Sequence, residues 1–545
     1  MALPLDTKLD VRDDAFRRNR DDMLSLLEEL ATLHEEAAGG LARERGYARL
    51  RSQDKLPVRE RLAYLLDRDA PFLEISPLAG YQTNYPIGGT MVAGIGVVSG
   101  TECSIIASDP SVMAGAMIPV SVDKWERAME ISRVNRMPYI QLVESAGGDL
   151  RGVEGEEAER AMREDLTHFA STGRHFYEVT ELSKLGIPAI SVVFGASTAG
   201  GAYQPGLSDY NIFVEGGARV ALGGPPLVKM ATGEDADYEE LAGARMHAEK
   251  SGLADYLARN EPEALRICRE VVEHLHWRKR GPGPTLSADA PLHDPEELLG
   301  IVSKDLRSPF DMREVITRIV DGSRFEEWKP LYGSTMVCGW ASIHGFPVGI
   351  LGNNGVIFSE AAQKAAQFIQ LCNQIDTPLL FLQNITGFVV GTEFEQGGIV
   401  KHGSLMLNAV SNSEVPHITV NVGASYGAGT FAMSGRAYDT RFIFSWPTAK
   451  IGVMGPKQMA GVMSIVARGS AARKGEKFDE EADRRRAAEV EHWEDLRSRA
   501  TYASGRVVDD GIIDPRDTRH AVGMALSACH SDEVKGAPGY GVFRT

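Results

Sequence analysis

The chain has 545 residues, too many for one typical domain of about 150 residues, so two or more domains are expected. Its 58 Lys and Arg against 75 Asp and Glu leave a formal net charge of −17, which argues against a protein whose main task is to bind nucleic acid. With 43% hydrophobic and 24% charged residues, the chain can form sizeable cores, which excludes global disorder.

The sequence predicts neither a metal site nor a disulfide framework nor a membrane span. Its five cysteines lie far apart, and no CxxC pair is present. There is no run of about 18 apolar residues, and the start, MALPLDTKLDVRDD, has the features of neither a signal peptide nor a transit peptide. We therefore expect a cytoplasmic protein without a metal, a membrane partner or a nucleic-acid partner.

The first half of the chain reads as helices alternating with buried strands. The segment 118–136 has apolar residues at helical spacing, and MPYIQLVES (137–145) is an apolar strand. A second strand and a Gly-rich loop follow in GIPAISVVFGASTAGGAY (186–203). The Gly- and Pro-rich segment 278–295 then predicts a domain boundary.

The second half repeats this order of elements. A helix is predicted over 359–375, a strand over 377–387, and a strand with a Gly-rich loop over 413–431. Pro138 and Pro378 are 240 positions apart, and Gly195 and Gly423 are 228 apart. The repeat predicts an α/β protein with largely parallel sheets, made of two tandem copies of one fold. The expected bounds are an extension over 1–24, a first domain over 25–285 and a second over 290–535.

A charged stretch, 472–499, mixes both signs at helical spacing. It predicts a solvated helix or arm, and a docking surface for a partner is the alternative.

Two loops at matching positions of the two copies could do chemistry. Ala199-Gly200-Gly201-Ala202 and Gly427-Ala428-Gly429 both follow a buried strand and lead into sequence that could begin a helix. Small residues leave backbone N–H groups uncovered, and a helix N-terminus adds positive potential. Such a loop can stabilise a developing oxyanion, although its glycines can also serve only tight turns and close packing. The occurrence of two equivalent loops favours the chemical interpretation.

Several common catalytic motifs are missing. The sequence has no G-x-S-x-G elbow, no G-x-x-x-x-G-K-[ST] loop for ATP and no obvious acid/base pair near the two loops. Lys229-Met230 follows Val228, whereas Ala-Met precedes a biotinylated Lys-Met. Backbone dipoles, together with chemistry brought by another group, are therefore the expected catalysts.

Long segments resemble the carboxyltransferase (β) subunits of biotin-dependent acyl-CoA carboxylases, which consist of two crotonase-like domains. They include STAGGAY, GGPPLVKMATGE, LLFLQNITGFVVG, GASYGAGTFAMSGRAY, KIGVMGPKQMAGV and VVDDGIIDPRDTR. The similarity runs from about residue 25 to 530. FLQNITGF and the AGGAY form of the first loop resemble most the 3-methylcrotonyl-CoA and geranyl-CoA carboxylase type. The resemblance would make 25–285 and 290–535 the N- and C-terminal carboxyltransferase domains.

The resemblance implies a mechanism and a site. Carboxybiotin arrives on a separate carrier (α) subunit, which alone uses ATP and Mg²⁺, and an acyl-CoA accepts the carboxyl group through a thioester enolate. The N–H groups of Gly200 and Gly201 would stabilise the enolate, and those of Ala428 and Gly429 would hold biotin. A homo-hexameric core is implied. The remaining substrate-binding residues implied are Ala199, Tyr203, Asn353, Asn354, Gly355 and Phe431.

Two departures from the family concern the acyl group. The segment 144–162 is polar and acidic where methylcrotonyl-type relatives have GGAYLP-like text, and Ser197 stands where they usually have Cys. These changes affect the identity of the acyl group more than the type of reaction. A branched enoyl-CoA such as 3-methylcrotonyl-CoA is expected, with acetyl-, propionyl- or longer-chain acyl-CoA as alternatives.

Three other functions stay open. A crotonase-type hydratase or isomerase shares the oxyanion logic but needs carboxylates over the acyl chain. A subunit of a biotin-dependent decarboxylase would run the transfer in reverse. A non-catalytic assembly scaffold is disfavoured, because both halves keep intact Gly loops.

Overall fold

The computed structural model describes residues 3–148 and 173–544, which form two compact units. The first unit is Thr32–Arg280 with Gly505–Val507. The second is the chain up to Ala31, Gly281–Ser504 and the chain from Val508 onward. The chain passes from one unit to the other at Gly281, inside the Gly- and Pro-rich segment. The expected bounds 1–24, 25–285 and 290–535 stay a prediction.

The first unit contains a mixed sheet with the strand order β1-β2-β3-β4-β5-β6-β8, and β7 pairs with the far end of β5. The pairs β1/β2 and β2/β3 are antiparallel, and the others are parallel. Its strands are β1 Phe72–Glu74, β2 Met91–Val98, β3 Thr101–Ser108, β4 Tyr139–Ser145, β5 Ala189–Thr198, β6 Tyr210–Val214, β7 Arg219–Ala221 and β8 Tyr256–Ala258. The helices of eight or more residues are α1 Asp14–Ala38, which begins in the second unit, α2 Gly40–Arg51, α3 Val58–Leu65, α4 Pro119–Asn135, α5 Arg174–Lys184, α6 Pro225–Thr232 and α7 Glu261–His274.

The sheet of the second unit has the corresponding order β9-β10-β11-β12-β13-β14-β16, and β15 pairs with the far end of β13. Its strands are β9 Glu326–Glu327, β10 Met336–Ile343, β11 Phe346–Asn353, β12 Leu379–Ile385, β13 His417–Tyr426, β14 Phe442–Ser445, β15 Lys450–Gly452 and β16 Gly511–Ile512. The longer helices are α8 Ser359–Gln374, α9 Ile399–Asn412, α10 Pro456–Lys474, α11 Glu480–Ser498 and α12 Thr518–Cys529. The helix and strand predictions for both halves are confirmed, and the alternation of α and β elements is observed in each unit.

The strand registers of the two sheets agree residue by residue. Pairing of β4 with β5 begins at Tyr139↔Ala189, and pairing of β12 with β13 begins at Leu379↔His417. Both pairs contain a register shift at the same place, between Val143 and Ser145 in one sheet and at the matching positions of the other. The two sheets therefore place their Gly-rich loops at equivalent points.

Each unit has its own hydrophobic core, which explains why its central strands read as continuous apolar runs. In the first unit, strands β3 to β6 pack against α3 and α7 through residues such as Ile105, Val192 and Leu265. In the second unit, β12 packs against α8 and α9. The amphipathic pattern of the helices is thus used to cover the sheets.

A buried lysine occurs at the same place in both units. Lys124 of α4 donates a hydrogen bond to the carbonyl of Met91 (3.0 Å), and Lys364 of α8 donates to the carbonyl of Met336 (2.7 Å). Both carbonyls belong to the first residue of a strand, β2 or β10. The two cations therefore satisfy equivalent strand ends rather than face a substrate.

The first residues of the chain are anchored to the second unit. The Thr7 hydroxyl donates to Glu314 Oε2 at 2.6 Å, and the Lys8 amide donates to Glu314 Oε1 at 2.8 Å. Glu314 also accepts from the fully buried Arg318. The N-terminal segment is thus held by a buried ionic cluster.

The charged stretch 472–499 includes helix α11, as predicted. The carboxylate of Asp479 caps it by accepting from the amides of Glu481 and Ala482. Only Asp483 and Ser498 of this helix are buried. No helix within 3–148 or 173–544 is long and apolar enough to cross a membrane.

Candidate active site

The first Gly loop lies where strand β5 ends. A 3₁₀ turn covers Ala199–Ala202, and a short helix, Tyr203–Gly206, follows it. Ala199 has φ of +52°, which turns the chain sharply out of the strand. The first N–H groups of such a turn have no partner within it, so those of Gly200 and Gly201 are suited to receive an oxyanion.

Side chains around this loop explain its glycines. A Cβ on Gly200 would lie 3.3 Å from Cζ of Phe176, and a Cβ on Gly201 would lie 3.3 Å from Oγ of Ser197. The buried Ser197 hydroxyl donates to the carbonyl of Gly201 at 2.7 Å. Ser197 therefore holds the turn in place and does not line an open pocket.

Two aromatic side chains stand beside the first loop. Phe176 of α5 and Tyr203 meet edge to face with 5.6 Å between ring centroids, and Tyr203 is 45% exposed. Sequence reasoning found Tyr203 because it adjoins the loop, but it missed Phe176. No sequence signal could have joined Phe176 to a loop that begins 23 residues later in the chain. Phe176 bounds the space above Gly200, and the Tyr203 ring packs beside Phe176.

The second Gly loop follows strand β13 in the same way. Gly427 has φ of +60°, its amide donates to the carbonyl of Gly452 at 3.0 Å, and helix Ala428–Ala432 begins next. A Cβ on Gly429 would overlap Cγ1 of Ile385 at the end of β12. Only glycine therefore fits at position 429, because the strand beside it comes so close.

Phe431 lies on the short helix that begins at Ala428. It is 42% exposed and stacks on Tyr438, with 5.9 Å between ring centroids. The exposed face of this ring is available to a ligand. The structure thus places Phe431 beside the second loop, whereas Tyr203 and Phe176 lie beside the first.

Asn353, the last residue of β11, and Asn354 after it have structural partners. The buried side chain of Asn353 donates to the carbonyl of Asn384 at 2.6 Å and accepts from its amide at 2.9 Å. Asn354 accepts from the amide of Met312 at 2.8 Å. Gly355 has φ of +96° and faces open space. Asn353 supports the end of β12, next to the second loop, and Gly355 leaves room there.

The carboxylate of Glu144, near the end of β4, packs against Gly195 of β5, behind the first loop. It forms ion pairs with Lys55 and with Arg61. Burial by itself would raise the pKa of Glu144, but the charges of Arg61 and Lys55 outweigh burial and hold that pKa below its ordinary value. Glu144 is therefore a paired anion, poorly suited to act as a general base. In the described ranges, no group of three His, Cys, Asp or Glu side chains could hold a metal ion.

Two helices that follow the loops bury almost nothing within their own chain. Helix α6 comes after β7 and has no buried residue, and α10 comes after β15 and buries only Ala460. β7 and β15 pair with the ends of β5 and β13, directly before the Gly loops. Large apolar side chains exposed in these two regions are Leu222, Leu227, Met230, Val453, Val462, Met463, Ile465 and Val466.

Most of the predicted site residues lie at these two loops. Those at or beside the first loop are Ala199, Gly200, Gly201 and Tyr203, and those at or beside the second are Ala428, Gly429, Phe431 and, through Asn384, Asn353. The part of the atypical segment that lies at 149–162 falls outside the described residues.

A family model, curated relatives and a solved structure all relate this chain to carboxyltransferases. Residues 49–539 match the carboxyl transferase domain family. The chain is 52% identical to the "Probable biotin-dependent acyl-coenzyme A carboxylase beta2 subunit" of Mycobacterium tuberculosis, over 99% of this chain and 100% of that one. It is 42% identical to the mitochondrial methylcrotonoyl-CoA carboxylase beta chain of Dictyostelium discoideum, over 99% of this chain and 91% of the relative. The crystal structure of the beta subunit of Pseudomonas aeruginosa geranyl-CoA carboxylase is similar with a TM-score of 0.88 and 41% identity, covering 99% of each chain.

Proposed function

The chain belongs to the carboxyl transferase domain family, and from this premise we propose that its two Gly loops carry out the transfer of a carboxyl group from carboxybiotin to an acyl-CoA. The protein is the carboxyltransferase subunit of a biotin-dependent acyl-CoA carboxylase. The observation that carries the proposed mechanism is the identical placement of two backbone-donor loops in sheets of matching register.

The two loops divide the work. The N–H groups of Gly200 and Gly201 bind the thioester oxygen and stabilise the enolate that forms there. Those of Ala428 and Gly429 hold the ureido oxygen of biotin. Carboxybiotin, when bound, would supply the carbon dioxide, and the biotin anion left behind would accept the proton of the acyl-CoA. The chain itself contributes fixed donors and needs no side-chain base, which agrees with the paired state of Glu144.

The second loop fits a flat, polar group brought close to the backbone. A side chain at position 429 would collide with Ile385, and Gly427 takes a left-handed conformation that turns the chain into the next helix. Exposed Ala428 has only a methyl group, so its side chain leaves the start of this helix open. Phe431 offers an apolar face beside them. These features support a site for the biotin ring system.

The acyl group we propose is a branched enoyl-CoA such as 3-methylcrotonyl-CoA. Methylcrotonoyl-CoA and geranyl-CoA are the substrates in the names of similar proteins. Phe176, which packs against Tyr203, provides an apolar boundary over Gly200, where a branched acyl chain would pack. One methylene in an apolar pocket is worth about 1–3 kcal/mol, so the preference over shorter acyl groups should be graded.

The chain is also proposed to be an internal duplication that assembles into a homo-hexamer. Shared strand order, shared registers and the equivalent lysines 124 and 364 support the duplication. The apolar faces of α6 and α10 support self-assembly, because exposed apolar surface of this kind marks interaction sites. We propose that a second copy of the chain covers these helices.

The partner we propose is a biotin-carrying α subunit, which uses ATP and Mg²⁺ to charge biotin. The test is to co-purify this subunit with the chain and to measure fixation of labelled bicarbonate on acetyl-, propionyl-, 3-methylcrotonyl- and geranyl-CoA. The complex should carboxylate 3-methylcrotonyl-CoA best, and the isolated chain should be inactive with ATP. Fixation by the isolated chain, or a best rate with acetyl-CoA, would contradict the proposal. Coupling to a membrane pump with net decarboxylation would identify the reverse reaction instead.

A further inference from the structure

Both sheets contain a bulge immediately before the Gly loop. In the first sheet, Val143 pairs with Val193 and Ser145 with Ser197, so the three residues 194–196 of β5 lie opposite one residue, Glu144. In the second sheet the three residues 422–424 of β13 lie opposite Asn384. A bulge leaves backbone groups outside the ladder and re-aims the strand that contains it. The direction in which each strand enters its loop therefore depends on what holds the bulge.

One side chain from the neighbouring strand fills each bulge. A Cβ on Gly195 would lie 2.5 Å from Oε1 of Glu144, and a Cβ on Gly423 would lie 2.5 Å from Oδ1 of Asn384. The two glycines are equivalent in register, as are the two polar side chains. The same packing thus occurs twice, with a carboxylate in one unit and an amide in the other.

In the first unit, charges hold the bulge. Arg61 donates to Glu144 Oε2 at 2.6 Å, and its guanidinium lies 4.3 Å from the centroid of the Phe194 ring. Lys55 pairs with Glu144 and also donates to the carbonyl of Phe194 at 3.3 Å. Arg61 is fully buried and has a second carboxylate partner, Glu261. This network connects α3, β4, α7 and the bulge of β5.

In the second unit, neutral hydrogen-bonding groups hold the bulge. Oδ1 of Asn384 accepts from the amide of Ala424 in the bulge at 3.2 Å. The backbone of Asn384 is in turn fixed by the side chain of Asn353, which donates to its carbonyl and accepts from its amide. Only three residues lie between Ala424 and Ala428 of the second loop.

We propose that Glu144, together with Lys55 and Arg61, is a positioning residue for the first loop, and that Asn384 is a positioning residue for the second. Each fixes the bulge that directs the strand into the loop, so that the N–H donors point at the reacting oxygen. A misplacement of about 1 Å in a catalytic group can cost about 10²-fold in rate. The assignment of a separate job to each loop rests on the proposed function.

The test uses the complex of the full chain with its biotin-carrying subunit. Variants are Glu144→Ala, Glu144→Gln and Asn384→Ala. Glu74→Gln is the matched control. Glu74 lies on β1, four strands away from β5, and pairs at 2.9 Å with Arg59 of α3, the helix that also contains Arg61. Two reaction rates are compared: carboxylation of acyl-CoA, and discharge of carboxybiotin in the absence of acyl-CoA. The amide hydrogen exchange of the two loops is measured separately.

We expect Glu144→Ala to lower kcat for carboxylation by about 10²-fold while carboxybiotin discharge changes much less. Amide exchange should rise over 194–202 and stay unchanged over 422–430. Asn384→Ala should slow discharge as well and raise exchange only over 422–430. Glu74→Gln should leave both loops as in the wild type. Glu144→Gln keeps the shape of the side chain but loses its negative charge, which leaves Lys55 without its carboxylate partner. Adding Lys55→Met removes that unpaired cation and should therefore restore part of the carboxylation rate.

Equal exchange in both loops for every variant, or parallel losses of both reactions together with a lower Tm, would overturn the inference. If Glu144→Ala fails to assemble, the positioning role is tested with the milder Glu144→Gln and its rescue by Lys55→Met. An inactive wild-type complex would refute the proposed function alone, because the exchange measurement needs no activity. Loop-specific exchange would then still support the positioning role.

Discussion

Replacement of Gly201 by proline removes one backbone donor from the first loop without removing any side chain, because proline has no N–H. Loss of one oxyanion donor costs about 2.7–4 kcal/mol, which is about 10²–10³ in kcat. Gly201 is the third residue of the turn Ala199–Ala202 and is preceded by another glycine, whose backbone freedom lowers the strain that a following proline imposes.

Gly201→Ala is the matched control, because it keeps the N–H and adds only a Cβ. That Cβ would lie 3.3 Å from Ser197 Oγ, so the hydroxyl must shift by a few tenths of an ångström. The contact at risk is the hydrogen bond from Ser197 to the carbonyl of Gly201, and a neutral hydrogen bond contributes about 0.5–1.5 kcal/mol. The alanine variant should therefore lose about tenfold at most. Gly429→Ala offers no such control, since it collides with Ile385.

The assay compares the rates of carboxylation and of carboxybiotin discharge in the assembled complex. It is applied to variants whose Tm and oligomeric state equal those of the wild type. Gly201→Pro should lose carboxylation and still discharge carboxybiotin slowly. Gly429→Pro should fail in both reactions, and part of that loss comes from the collision of its Cβ with Ile385. Unchanged acyl-CoA binding would show that the loss lies in the transition state. Near wild-type rates from well-folded proline variants would refute the backbone-donor mechanism and leave the glycines a purely structural role.

Phe176→Gly should open the space over Gly200 and shift kcat/KM towards longer acyl-CoAs, measured across an acyl-chain series; an unchanged ranking would show that Phe176 does not bound the acyl site. Phe431→Ala should raise the KM for free biotin in a biotin-dependent assay with little change in the KM for acyl-CoA, and the opposite pattern would assign Phe431 to the acyl chain. Burial raises the pKa of Asp509 from 3.8 to about 6, so the stability it contributes is complete below about pH 4 and is lost as the pH rises through 6. Compared with Asp509→Asn, the wild type should lose about 2 kcal/mol of unfolding free energy between pH 4 and 7, seen as a growing difference in Tm; a constant difference would contradict the shift.

Much of the fold could be predicted because its signals are local. Helices α4 and α8 and strands β4 and β12 appear where the apolar periodicity places them. The two Gly loops could be found because each follows a strand rich in apolar and small residues. The repeated order of these signals also indicated two similar units.

The roles of individual side chains were harder to predict. Asn353 reads as a candidate for substrate binding, yet in the structure its amide supports Asn384. Ser197 reads as a change near the acyl pocket, yet it is buried and holds the turn of the first loop. A polar residue beside a Gly loop has the same sequence signature whether it faces a ligand or the backbone.

The sequence alone determined the family, the alternation of elements and the two loops, because these depend on residues that are neighbours along the chain. Only the tertiary structure decided which distant residues complete the loops. Phe176 over Gly200, Ile385 against Gly429 and Glu144 in the bulge at Gly195 each join separate segments. Such contacts are set by strand register and helix packing, and a shift of one residue in register would turn each strand's side chains to the opposite face.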